Sequence, residues 1–365
     1  MNRFLLPILT ALVLPLGVRA EVAYDFVPNW LTPPPGKETI GSGHGEIAVD
    51  SSGKVYVSVD GQKEGGLQVY GADGKFIEQL KGTPDTLHGF VIHKEEGGEF
   101  IYAAVLGQQR VIKLKLDGTQ VMEIPKSAFP ADKAARTSIE LKSGEKVAGY
   151  VSAESPTEVT VTVADGKTQA VQKDQIAKRQ DAGLKLTSVD IAPNGDIYVV
   201  DGYGADWIFL FDKDGKFKKV FGGRVEPYKL SNCHKIFIDP RFEPARLFLC
   251  DRGNNRIMHL SLDGDIIGVI ADKGLRRPSS ASFHGDLVAI AEIAGRVSVF
   301  DKEGKEVAAL GVNDKQGETN TPNMQPAQWR EGIVTSPHGI TFDAQGNIME
   351  TEWNKYGRVL RWNKK

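Results

Sequence analysis

Apolar and polar residues alternate in short runs along almost the whole chain, and no segment sustains a helical period. One phrase recurs: an apolar run, a short charged turn with Gly, then a second run. It reads VYGADGKFIEQL at 69–80, KLKLDGTQVMEI at 113–124 and LFDKDGKFKKVF at 210–221, and returns as LSLDGDIIGVI at 260–270 and VFDKEGKEVAAL at 299–310. Asp-Gly between alternating runs is a strong hairpin signal. A second phrase precedes these, as in EIAVDSSGKVYVS at 46–58, SVDIAPNGDIYVVDG at 188–202 and GITFDAQGNIMET at 339–351. Each unit therefore predicts strand, turn, strand, variable loop, strand, tight turn, strand.

The turn glycines Gly74, Gly118, Gly215, Gly264 and Gly304 are spaced by 44, 97, 49 and 40 residues. Four-stranded propeller blades repeat every 40–50 residues or so, and the long interval is one blade plus an insertion. Between 131 and 180 the blade phrases vanish. In their place stands a Val- and Thr-rich alternating stretch, TSIELKSGEKVAGYVSAESPTEVTVTVADGKTQAVQKDQI, which predicts four or five short strands in a small inserted β-module, such as a mini-barrel. A degenerate seventh blade is the alternative. The last unit stops at RVLRWNKK, one strand short, and VAYDFVPNW at 22–30 offers the missing strand, with Trp30 and Trp362 packing at the seam. The predicted fold is all-β: a six-bladed β-propeller with an inserted module. Its divisions are a signal peptide (1–20), the closing strand and blades 1–2 (21–130), the insert (131–180) and blades 3–6 (181–365).

The first twenty residues differ from the rest. Arg3 precedes the apolar run from Phe4 to Gly17, and Val18-Arg19-Ala20 places small residues at −3 and −1 of a cut, the pattern of a secretory signal peptide. Its removal changes the formal charge from −2 to −4. The run is short for a membrane span, so the mature protein is expected to be exported, periplasmic or extracellular, with no stable span. With 45 basic and 47 acidic residues there is no basic excess for nucleic acid. Cys233 and Cys250 flank a predicted hairpin, where one disulfide could form in an oxidising compartment.

Candidate chemistry lies at one repeat position. Aligned on the residue ending the first strand, Asp343 follows His338 by five and Asp239 follows His234 by five; His93 occupies the same place after His88. His88, His234 and His338 thus share one register in alternate units, at one mouth of the axial channel. Three neutral imidazoles with an open fourth position make a catalytic-type zinc site. The register position holds Thr187 in the third unit and Ser279 in the fifth. His44 is one residue out of register and is expected on the other face of its strand; His93, His259 and His284 lie elsewhere.

Units three to six resemble NHL-repeat propellers, and more narrowly the peptidyl-α-hydroxyglycine α-amidating lyases. The matching stretches are VVDGYGADWIFLFDKDGKF at 199–217, CHKIFIDP at 233–240, LCDRGNNRIMHL at 249–260 and SPHGITFDAQGNI at 336–348, with LHGFVIH at 87–93. The resemblance implies channel zinc held by His88, His234 and His338. It also implies Tyr203 of DGY as a phenolate base or hydrogen-bond partner of the substrate hydroxyl, its pKa pulled down by zinc and arginine, and Arg252 of DR-x-N as a carboxylate holder. The implied reaction is lyase-type cleavage of a carbinolamide C–N bond. Structural calcium is a further candidate. Three departures stand out: Asp60 lies where the family has a first-blade arginine, Gly339 follows the third histidine where the family has an acid, and the insert has no counterpart in the lyase. The insert resembles small β-modules beside haem-binding cytochrome domains, yet no C-x-x-C-H is present. The expected partner is a small-molecule or peptide ligand at the channel mouth, with a protein partner on the NHL face or insert as a second candidate. Two other functions fit the same fold: a non-catalytic NHL propeller binding protein, peptide or glycan, and a calcium-dependent hydrolase or lactonase.

Overall fold

The computed structural model describes residues 22–163 and 167–365. The predicted signal peptide, residues 1–20, lies outside the described residues. Among the described residues, no helix is long and apolar enough to cross a membrane.

Six four-stranded antiparallel sheets follow one another along the chain. The first five span 47–80, 87–124, 188–222, 233–271 and 278–310. The sixth combines three C-terminal strands from 337–364 with Tyr24–Phe26 at its outer edge, where Tyr24 stands opposite Lys364 and Phe26 opposite Trp362. The expected closing strand is therefore present, though only three residues long. Trp362 is buried at this seam. The edge of the sheet that would otherwise be left open is paired.

The recurring charged turn joins the third and fourth strands of the first five sheets. Gly74, Gly118, Gly215, Gly264 and Gly304 all have φ between +77° and +91°, and each amide donates to the carbonyl three residues earlier. A non-glycine side chain is strained at that φ, which explains why glycine recurs there. The register slips at each of these hairpins, the mark of a bulge beside the turn.

The first strands of the six sheets contact one another in a closed ring: Ile47–Val49, Leu87–Glu95, Ser188–Ile191, Cys233–Asp239, Pro278–His284 and Pro337–Phe342. Between each pair of consecutive sheets lies an apolar cluster, and the sixth cluster joins the last sheet to the first through Met349, Ile47 and Val55. Second and third strands are buried on both faces, as in Val55–Ser58 and Leu67–Tyr70. Fourth strands are half exposed, as in Phe76–Leu80. This radial gradient, with a ring of inner strands about an axis, is that of a β-propeller.

A five-stranded sheet interrupts the repeat between the second and third sheets. Its strands are Arg136–Leu141, Lys146–Glu154, Glu158–Thr162, Thr168–Gln172 and Ile176–Ala182, with the first strand between the second and the fifth. It is an open sheet and not a barrel: its two outer strands, the fourth and the fifth, do not pair with each other. It has its own core of Ile139, Val147, Val159, Val161 and Val171. Its last strand runs two residues past the expected boundary at 180. Cys233 and Cys250 are free, buried thiols. A register shift after Cys233 sets Cys250 opposite Lys235, so the two cysteines are not a facing pair.

Candidate active site

The register position is where the inner strands begin, and it places His88, His234 and His338 around the axis. Their rings form a triangle with centroids 4.9 Å (His88–His234), 4.7 Å (His234–His338) and 5.0 Å (His88–His338) apart. All three are buried.

Each Nδ1 is bonded to a backbone carbonyl of the next sheet. His88 Nδ1 lies 2.8 Å from the oxygen of Thr187, His234 Nδ1 2.6 Å from that of Ser279, and His338 Nδ1 2.8 Å from that of Gly45. Thr187, Ser279 and Gly45 occupy the same register position in the intervening sheets. The repeat thus alternates: one sheet gives an imidazole and the next gives the carbonyl that fixes it. A carbonyl only accepts, so each Nδ1 must carry the proton and each Nε2 must present a lone pair. Fixing the tautomer through the second nitrogen is the usual arrangement of metal-binding histidine.

His44 completes the group, contrary to its expected placement. Its ring centroid is 4.9 Å from that of His88 and 5.0 Å from that of His338. A nitrogen from each of His44, His88 and His338 lies within 4.8 Å of the other two, close enough to hold a metal ion. The face-alternation argument failed because it holds only within a strand. The first strand starts at Ile47, and Gly43 makes an isolated bridge to Asn354 just before it. Residue 44 is therefore free to turn inward.

Burial lowers the pKa of all four imidazoles, to about 4 for His44 and well below the ordinary value for His88, His234 and His338. Lys235 adds to the effect at all four, and Arg252 at His44, His234 and His338. They are neutral at pH 7, the form that binds a metal. His338 Nε2 is buried with no hydrogen-bond partner. An orphaned lone pair inside a ring of imidazoles fits a missing electrophile, and the donor set suits zinc.

Tyr203 sits at the centre of the group. Its hydroxyl is 3.0 Å from His234 Nε2, 3.1 Å from His88 Nε2 and 3.3 Å from His44 Nε2. The loop carrying it is pinned by Asp201, whose carboxylate accepts the amides of Lys185 and Ala205. Burial raises the Tyr203 pKa, with Arg252 opposing. The expected lowering is not found in these protein surroundings, because loss of hydration outweighs the guanidinium.

Arg252 is 6% exposed and lies 5.3 Å over the Tyr203 ring. Its Nε and Nη1 have no partner, nor does Arg277 Nε. Arg277, in an αL conformation at φ +61°, was not singled out from the sequence. Burial first, then Arg252, lowers its pKa. Two neighbouring cations with unsatisfied donors call for an anion. Arg277 lies one step outside the inner strand Pro278–His284, where only spatial proximity reveals it.

One residue below the histidines, Lys235 crosses the axis. Its Nζ is 3.1 Å from Glu46 Oε2 and donates to the His88 carbonyl at 2.7 Å. Ser280 Oγ and the Ile340 amide also donate to Glu46. Both charged side chains are almost wholly buried. Gly89 and Gly339 leave the space: a Cβ would lie 2.8 Å from Lys235 Nζ at the first and 2.5 Å from Glu46 Oε1 at the second. Gly339, where an acid was expected by resemblance, is thus required by a carboxylate arriving from Glu46. Beyond this bar the axis holds a further cavity of about 270 Å³ lined by inner-strand residues such as Phe90, Asp190, Phe237 and Ile340.

The fold and site define a β-propeller with a histidine-rich axial chamber. No family model matches the chain, and no curated protein sequence does. Among solved structures it is similar to a streptogramin B lyase, with a TM-score of 0.54 and 15% identity over 94% of this chain and 98% of that one. It is also similar to the virginiamycin B lyase of Staphylococcus aureus, with a TM-score of 0.52 and 15% identity over 93% and 99%. At this identity the likeness establishes the fold alone.

Proposed function

We propose that the chain is an exported six-bladed propeller enzyme of the lyase type, whose axial chamber holds zinc on His88, His234 and His338 with His44 beside them. The substrate in this reading is a small carbinolamide that bears a carboxylate. The observation that carries it is the three-fold set of Nδ1 bonds to Thr187, Ser279 and Gly45, which leaves Nε2 of His88, His234 and His338 as the acceptor atom of each ring, with His88 and His338 standing within metal-binding reach of His44. Two solved structures of similar fold are lyases, which agrees with the reaction class.

When bound, zinc supplies Lewis acidity toward the substrate hydroxyl. The chain's own residues do the rest. Arg252 and Arg277 take the substrate carboxylate on their free N–H groups, which compensates the buried charge of Arg252. Tyr203, kept protonated by burial, hydrogen-bonds the hydroxyl oxygen from the centre of the imidazole group. As the hydroxyl loses its proton the carbonyl forms, the C–N bond breaks, and the departing amide nitrogen takes up a proton. The Tyr203 O–H, already in place, stabilises the developing alkoxide without reorganising. Arg277 enters from the fifth sheet where the first-sheet position holds Asp60, so the anion is gripped from a new direction.

Elemental analysis of the purified protein should find about one zinc per chain, with little in a His88→Ala/His338→Ala double variant, which leaves only His44 and His234, because two ligands seldom hold the ion. Small α-hydroxyglycine amides should then release glyoxylate, with Tyr203→Phe and Arg252→Ala slower by about 10²-fold while retaining zinc. Turnover no faster than free zinc would reject the lyase reading.

A further inference from the structure

A cleft of about 720 Å³ lies away from the axis, between the inserted five-stranded sheet and the third propeller sheet. Its apolar surface comes from Tyr150, Trp207 and the small side chains Ala148, Ala182 and Ala205. Trp207 Nε1 donates to Tyr150 Oη at 2.5 Å, which locks the two rings together across the junction. The hydroxyl proton of Tyr150 is left to donate elsewhere.

The charged groups lining this cleft are three cations, Lys133, Arg136 and Arg224, and one carboxylate, Asp181. Lys133 stands 4.9 Å over the Trp207 ring and 5.6 Å over Tyr150. The side chain of Arg136, on the first strand of the insert, makes no ion pair or hydrogen bond among the described residues, and its charge is felt at the Asp201 carboxylate. Arg224 spends Nε on Asp206 and Nη2 on the Gly204 carbonyl, leaving Nη1. The one carboxylate on the wall, Asp181, already accepts Thr137 Oγ1 and Arg179 Nε at 2.7 Å each. A volume in the range of small-ligand sites, an aromatic wall and an excess of cationic donors together specify the complement.

We propose that this cleft is a second ligand site, and that it takes a small amphipathic carboxylate, with a flat apolar body against Trp207 and Tyr150 and its acid group on Arg136. Lys133 and Arg224 border the acid and add charge without being held by it. The site exists only because the insert is present, since Arg136 and Tyr150 belong to the insert, Trp207 to the third sheet and Arg224 to the loop that follows it. It stands whether or not the axial chamber holds a metal.

The test uses the full mature chain and the probe 2-naphthoate, titrated by calorimetry with tryptophan fluorescence as a second readout. The neutral 2-naphthalenemethanol is the control ligand. One site per chain is expected, with the alcohol binding at least tenfold more weakly. Arg136→Gln and, independently, Lys133→Gln should weaken naphthoate severalfold to tenfold at an unchanged melting temperature, with Arg136→Lys restoring part of the affinity. Trp207→Phe should remove most of the fluorescence change. His234→Ala, in the axial chamber, should leave the affinity unaltered. Equal binding of the alcohol, indifference to both Arg136→Gln and Lys133→Gln, or loss of binding in His234→Ala would overturn the proposal, the last by placing naphthoate in the axial chamber.

Discussion

Glu350 lies in the second strand of the sixth sheet, fully buried, with neither carboxyl oxygen hydrogen-bonded. Burial raises its pKa well above the ordinary value, and the neighbouring Glu352 adds to the rise while Arg358 opposes it. The folded chain therefore holds a proton that the unfolded chain has released once pH passes about 4.3. Stability falls as pH rises through that interval toward the folded pKa, because the native state binds more protons there. Glu350→Met should remove this dependence and raise stability at pH 7 by about 1–3 kcal/mol, the cost of an unsatisfied buried polar group; urea melts at pH 5 and pH 8 would show a gap between variant and parent that widens with pH. At this same scale, the clustering of His88, His234 and His338 about the axis was legible because a repeat register is a linear count. His44 was not, because the chain before Ile47 follows no strand alternation. Arg277 and the Lys235–Glu46 contact join residues of different sheets, which no spacing along the chain encodes.

The strands and their glycine turns were legible for a local reason: a positive-φ position and an alternating flank are properties of a few adjacent residues. Closure of the last sheet was legible by elimination, since a three-stranded C-terminal unit leaves an edge to be filled. The closing strand is only Tyr24–Phe26, shorter than its nine-residue apolar stretch suggested, because Pro28 and the turn at Asn29, φ +50°, end it early. Phe26 packs on Trp362 with centroids 6.0 Å apart. Phe26→Ala should cost about 1–3 kcal/mol, less than a fully buried phenylalanine because the ring is half exposed. Removing 22–28 should cost more, since Trp362 and the backbone edge are then both uncovered. Thermal melts followed by near-ultraviolet circular dichroism would rank the two, and a deletion no worse than Phe26→Ala would deny the strand a role in closure.

In the whole molecule, the inserted sheet and the ring make separate cores. Val147 and Val159 pack within the insert, whereas Ala134 and Leu184, at its two stems, belong to the cluster between the second and third sheets. Joining 135 to 183 by a short Gly/Ser linker should leave a cooperatively melting propeller that keeps its axial histidines. Calorimetry and metal content measure this, and a molten or aggregated product would make the insert an integral part of the ring. The composition change at 131–180 revealed the insert, but its open-sheet form was hidden. A run of five alternating strands is equally compatible with a barrel, and only the absence of pairing between its outer strands decides the matter.

The Lys235–Glu46 bar gives the propeller a floor. A ring of sheets with an open axis is a tunnel through which a long chain could thread, but one barred beneath the histidines is a cup. Whatever reaches the imidazoles must back out over the same rim by which it came. A polymer could offer only its terminus, and an interior linkage would never reach bottom. On the proposed lyase reading, spent product and fresh substrate would meet in a single doorway, so each would exclude the other for as long as it stayed.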